Sequence, residues 1–339
     1  MFRFRIFTSL FLMGFAASVN AQQYKVSSRI AFPGEGGWDY LIADSANRQL
    51  YISHNTQVEV VDLDSQKPIT AIPGMSHIHG IAIANDLNRG FISDGGDNVV
   101  AIFDLKSHAV LQKVKAGTNP DGILYDPSSK RVFAFNGRSQ DVTAIEAETG
   151  KVAGTVALGG KPEFPVSDGK GNIYANIEDK SEIVQMNPAT LQVEKRWPLA
   201  PCEEPSGLAI DTATRRLFAV CDNQKMAVVD TDSGKVVAIV PIGNGPDATA
   251  YDADRKLVFS SNGQDGTLTV IKQESADKYS VLETVTTEKS ARTMALDSKT
   301  HQIYLSAAQF GPRPAPTADN PHAWPKVLPN TFHVLVVSP

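Results

Sequence analysis

The sequence predicts an all-β fold: a seven-bladed β-propeller of four-stranded antiparallel blades, its ring closed by the N-terminal strand pairing with the C-terminal blade. Three observations predict it. A short pattern recurs seven times at a period of about 40 to 45 residues. Tyr or Phe stands at the same slot of all seven copies. The two ends of the chain also complement each other, each supplying the part of a repeat that the other lacks.

The first strands are the runs WDYLIAD from Trp38, IHGIAIA from Ile78, PDGILYD from Pro120, PEFPVSD from Pro162, PSGLAID from Pro205, PDATAYD from Pro246 and ARTMALD from Ala291. After a turn, each second strand carries an apolar or small residue followed by the aromatic: Leu50 and Tyr51, Gly90 and Phe91, Val132 and Phe133, Ile173 and Tyr174, Leu217 and Phe218, Val258 and Phe259, Ile303 and Tyr304. Third strands such as VEVVD, VVAIFD, VTAIE, IVQMN and MAVVD are rich in β-branched residues. The turns DLDSQK, DLKSHA, EAETGK and DTDSGK then lead into a fourth strand, with Asp, Ser and Gly providing tight-turn chemistry. Four strands per repeat is the content of a propeller blade, and no helix-period segment of useful length follows the first residues. The segment YKVSSRIAFPGEGGWD matches the fourth-strand pattern, whereas the last repeat stops at FHVLVVSP after its third strand. Lys25 to Phe32 is therefore expected to pair with Phe332 to Val337 and hide two open sheet edges.

Composition fits this body. The 339 residues are 42% hydrophobic and 8% aromatic, with 32 basic and 37 acidic side chains and a net charge of -5, which excludes a disordered, collagen-like or polytopic chain. The acidic balance provides no field for a phosphate backbone, so nucleic acid is not an expected partner. Residues 1–21 read as a signal peptide: Arg3 and Arg5, an apolar core from Ile6 to Ala17 too short to span a bilayer, and a small-x-Ala site ending at Ala21. No Cys follows that core to carry a lipid. The expectation is cleavage near Ala21 and a periplasmic or secreted, monomeric single domain over 22–339 with no membrane span. Cys202 and Cys221 are placed by the predicted strands on the same face of blade five, and a disulfide between them is expected in that oxidising compartment.

The stretches VFAFNGRSQDVTAIEAETGKV and LVFSSNGQDGTLTVI resemble the YVTN repeat, in which an aromatic-Val-Thr-Asn strand and a Gly-containing turn precede Val-x-Val-Ile-Asp. The chain resembles the YncE-like, YVTN-repeat periplasmic β-propeller family over nearly all of the length after the signal peptide. It departs from the repeat at YANIEDKSE in blade four and YLSAAQFGPRP in blade seven. The resemblance implies seven blades and an extracytoplasmic home, and only it suggests nucleic-acid binding. WD and kelch signatures are absent, and no blade carries the docking tryptophan of quinoprotein dehydrogenases.

Function is expected where the inner strands open into the central channel. The mouth slot reads Asp39, His79, Asp121, Glu163, Ser206, Asp247 and Arg292, a ring expected to be strongly negative. Asn136 and Asn262 from neighbouring loops, and Trp324 from a Pro-rich insertion spanning 310–330, complete the candidate ligand-binding set. Six prolines stiffen that insertion, as a lid over the mouth or a brace across the blades. Two metal sites are conceivable: oxygen ligands from several blades, with Glu163, Asn136 and Asp247, for calcium, and His54, His77 and His79 for zinc or copper. No GxSxG elbow or Cys-His pair points to a nucleophile, and no catalytic residue can be named. The sequence supports a binding or scaffold protein that meets an unknown small ligand or protein at the acidic channel face. The alternative is a metal-dependent, lactonase-like hydrolase or lyase with a cation in the channel.

Overall fold

A computed structural model describes residues 23–315 and 325–339. The segment read as a signal peptide and Trp324 lie outside these residues. The strands form seven four-stranded antiparallel sheets, each built from consecutive strands except the last. The inner strands are Leu41–Asp44, Ile78–Ala84, Pro120–Asp126, Pro162–Ser167, Pro205–Asp211, Pro246–Asp252 and Thr293–Asp297. The seventh sheet adds the N-terminal strand Lys25–Ala31 to His333–Ser338, in a register that pairs Lys25 with Ser338 and Ala31 with His333. The chain is thus a seven-bladed β-propeller closed by its first strand. Its described helical residues are two three-residue 3-10 turns, Asn85–Leu87 and Glu178–Lys180.

The aromatic slot has a packing reason. Tyr51, Phe91, Phe133, Tyr174, Phe218, Phe259 and Tyr304 are all fully buried. Each sits in an apolar cluster shared by its own blade and the next, as Tyr51 does with Ile81, Ile92 and Phe103 of blade two. A smaller side chain there would leave a gap between blades, at a cost of about 3 to 5 kcal/mol for an aromatic-to-Ala change. The turns before the fourth strands are held by carboxylates: Asp62, Asp104 and Asp230 each accept from the N–H of a Ser three residues on, at 2.7, 2.8 and 2.7 Å. The left-handed residue that ends this turn is Gly150 or Gly234 in two blades, but Gln66, His108 and Leu191 in three others.

A second set of contacts fastens blade to blade at the far end of the inner strands. Asp44 accepts from Asn85 at 3.1 Å, Asp126 from Ser167 at 2.6 Å, Asp252 bonds His301 at 2.7 Å, and Asp297 takes two bonds from Arg48 at 2.9 and 2.8 Å. The last of these joins blade seven to blade one. Cys202 and Cys221 form a disulfide with 5.7 Å between Cα atoms, tying the loop ahead of blade five to the end of its second strand.

Candidate functional site

In blades two to six the mouth slot is the second residue of the inner strand, and in blades one and seven it lies one or two residues ahead of it. A register irregularity follows that slot in blades two to six, for example between Pro120 and Ile123. An extra residue of this kind re-aims the side chains beside it. Asp39, His79, Asp121, Glu163, Asp247 and Arg292 are brought together there as a linked circuit. His79 Nδ1 lies 2.7 Å from Asp39 Oδ2 and 3.7 Å from Asp121 Oδ1. Arg292 reaches Asp39 at 3.7 Å and pairs closely with Asp247. Lys161 bridges Glu163, at 2.7 Å, to Glu178. Ser206, the uncharged member, donates to the Pro246 carbonyl at 3.0 Å.

This circuit corrects the expectation of a strongly negative ring. Each carboxylate faces a cation, and Lys161, two residues before Glu163, is a member that the slot pattern passes over. Protonation follows the pairing. Burial opposes charge on His79, but the Asp39 hydrogen bond and the charges of Asp121 and Asp39 outweigh it and raise its pKa to about 9. Burial raises the carboxyl of Asp121, partly offset by His79, and raises that of Glu163, where the Asp121 charge adds to it. Asp247 is also raised by burial, against the pull of Arg292.

Beneath the circuit the channel narrows on two aromatic rings. The slot after the charged one holds Gly80, Gly122, Gly207, Ala248 and Thr293, but Tyr40 in blade one and Phe164 in blade four. The glycines are pressed against the neighbouring blade: a Cβ on Gly207 would meet Ala248 Cα at 2.7 Å. Tyr40 and Phe164 meet with ring centroids 5.2 Å apart. Burial, followed by the charges of Asp247, Glu163, Asp121 and Asp39, lifts the Tyr40 hydroxyl well above the usual phenol range, so it stays protonated under the acidic set. Below this pair lies a cavity of about 390 Å³ walled by Ile42, Ile83, Leu124, Val166, Ile210 and Leu296. Over this stretch the side chains lining the channel are mostly apolar.

Other predicted residues fall elsewhere. Asn136 is fully buried and donates to Asp141 and Thr143 at 2.7 and 3.0 Å, and Asn262 donates to Thr267 and Thr269 at 3.1 and 2.9 Å. Through these amide donors each braces its own blade. The three-histidine site is not assembled either. His77 and His79 do adjoin, with ring centroids 4.8 Å apart, and burial lowers the pKa of His77. His54 instead ends a strand facing the closure seam, packed 4.6 Å from the Phe332 ring and bonded to Glu59 at 2.9 Å. The group able to hold a cation at the mouth is Asp39, His79 and Asp121, whose donor atoms lie within 4.8 Å of one another. A metal there would displace the proton shared by His79 and Asp39.

Around the mouth, a pocket of about 450 Å³ extends over blades four to seven, past Glu204, Asp222, Asp247, Arg292 and Phe310. Among the described residues no cation pairs with Glu204 or Asp222. Phe310, from the start of the Pro-rich insertion, packs on Trp38 at 5.6 Å, and Trp38 stacks on Phe332 at 5.7 Å. The described part of the insertion thus braces the blade-seven side of the mouth, where Phe310 pairs with Val327 in an isolated bridge.

No family model and no curated protein matches the chain. Solved structures do. A chain of the Kuenenia stuttgartiensis hydrazine synthase is 15% identical, with a TM-score of 0.70 over 80% of this chain and 92% of its own. A chain of the U3-55K structure is 10% identical, with a TM-score of 0.74 over 93% of this chain and 98% of its own. At such identities the likeness shows the fold alone, and what it shows is that this chain is a seven-bladed β-propeller.

Proposed function

We propose that the protein is a binding or scaffold propeller of the YncE-like, YVTN-repeat kind, acting in the periplasm or outside the cell. Its charged channel face receives a ligand or protein segment carrying positive charge. The leader-like N-terminus and the repeat motifs support the family and the compartment. One observation carries the ligand class. In the mouth pocket the charges of Asp247 and Glu178 are met by Arg292 and Lys161, while Glu204 and Asp222 have no cation among the described residues. An ammonium or guanidinium group placed there completes the charge pairing that the rest of the mouth already has. Phe310, 40% exposed at the same pocket, offers an aromatic face beside those carboxylates.

The test is titration of the full chain with trilysine at low and at physiological salt. Saturable binding that weakens with salt and falls at least tenfold in Glu204→Gln/Asp222→Asn is expected. Binding that ignores both substitutions would remove this reading.

A second reading rests on the convergence of Asp39, His79 and Asp121: a divalent cation held at the mouth, as a lactonase-like hydrolase would need. Metal analysis of the purified protein, with thermal shifts in calcium, zinc and copper, separates the two readings. Stoichiometric metal lost in His79→Gln favours the second.

A further inference from the structure

The channel is built in three layers, and only the uppermost is charged. The aromatic pair Tyr40 and Phe164 separates the charged circuit from the cavity of about 390 Å³ below. That cavity is walled by aliphatic side chains from the inner strands of six blades. Among its described lining residues, the polar side chains are Tyr40, Tyr125 and Ser167. Tyr125 donates to Asp86 at 3.0 Å and Ser167 to Asp126 at 2.6 Å, so both hydroxyl protons are committed to partners in the wall. Tyr40 is influenced by the four carboxylates of the mouth above.

The side chains of this chamber offer water few hydrogen bonds, although backbone groups add some polar lining, and no charged side chain lines it to compensate a charged group for its lost hydration. It does offer apolar contact. An apolar cavity of about 150 Å³ suffices for benzene, and ligand sites generally run from about 300 to 1,000 Å³. The wall side chains Ile42, Ile83, Leu124, Val166, Ile210 and Leu296 remain half-buried in the folded protein, although aliphatic groups at equivalent depth between the blades are fully buried. The exposed remainder of each faces the chamber.

We propose that this chamber is a binding site for an uncharged apolar small molecule, about the size of one or two rings, distinct from the charged mouth and closed off from it by Tyr40 and Phe164. Recognition is by shape and apolar contact, so affinity is insensitive to salt and to titration of the mouth circuit. A single change that fills the chamber from its wall removes the site.

The experiment uses N-phenyl-1-naphthylamine, an uncharged apolar fluorophore, titrated into the full chain. One-to-one saturable binding with a blue-shifted emission is expected, unchanged between low and high salt. Ala43→Phe and Val166→Phe, two fillings from different blades, should each weaken it at least tenfold while circular dichroism and melting report an intact fold. Binding that survives both fillings would place the probe on the outer rim, where Leu111 and Leu282 are exposed, and overturn the proposal. Absence of saturable binding overturns it as well. Should both variants fail to fold, the methyl resonances of Ile42, Ile83 and Ile210 in the unaltered protein decide. They should shift with the same saturation curve as the fluorescence, and no shift rejects the site.

Discussion

At the scale of the residue, the mouth turns on His79. Its pKa rises in the folded state from 6.5 to about 9, so the native protein binds this proton more tightly than the unfolded chain does. The stability it contributes is fully present below pH 6.5 and is lost as the pH climbs through about 9. Asp121 and Glu163, also raised, act in the same direction. Denaturant melts of the wild type should therefore show stability declining over that window, by roughly 3 kcal/mol from His79. The decline should shrink in His79→Gln, and an equal slope in both proteins would refute the assignment. Sequence reading reached six of these mouth residues because they share one repeat slot. The slot alone does not include Lys161, which a neighbouring position brings in. Sequence reading passed over Tyr40 and Phe164, although both were marked by being the aromatic members of a slot otherwise filled by Gly, Ala and Thr.

The strand is the element that the sequence specified best. Strand type and blade number followed from a period and an aromatic slot, since both are imposed by packing between similar units, and the pairing at the seam followed from the complementary ends of the chain. Loop-borne side chains were less legible. Asn136, Asn262 and His54 stand near the mouth in sequence, yet the direction of each is set by its strand end and by local hydrogen-bond partners. The N-terminal strand allows a direct test. Ile30 is buried in the seam between blades seven and one, and Tyr24 packs edge-on against Phe259 at 5.1 Å. Deleting residues 24 to 31 removes both and uncovers the edge of His333–Ser338. Burying each of these side chains is worth about 1.5 to 3 kcal/mol, so a loss of about 3 to 6 kcal/mol is expected by urea titration. An unchanged midpoint would mean that another contact closes the ring.

At the scale of the whole molecule, closure also depends on charge. Arg48 and Asp297 join blade one to blade seven, with the Asp297 side chain fully buried and Arg48 only 12% exposed. Arg48→Met leaves that carboxylate without its counter-ion and should cost about 3 to 5 kcal/mol. Arg215→Met, which breaks an exposed pair with Asp232, should cost under about 1 kcal/mol. Chemical denaturation of the two variants side by side checks the difference, and equal losses would show that the seam gains nothing from its ion pair.

The same seam sets an order of events during synthesis. Ser27 bonds to Val336 across 309 positions of chain. At about 5 to 20 residues per second, the first strand waits roughly 15 to 60 s for its partner to be made. Throughout that interval six blades can assemble while Lys25–Ala31 has no place to dock. Lys25, Ser27 and Arg29, all exposed, give the waiting segment charge and polarity along one side, the property that keeps an open strand from joining the wrong sheet. The ring is thus a structure that its own translation leaves unsealed until His333–Ser338 has been made.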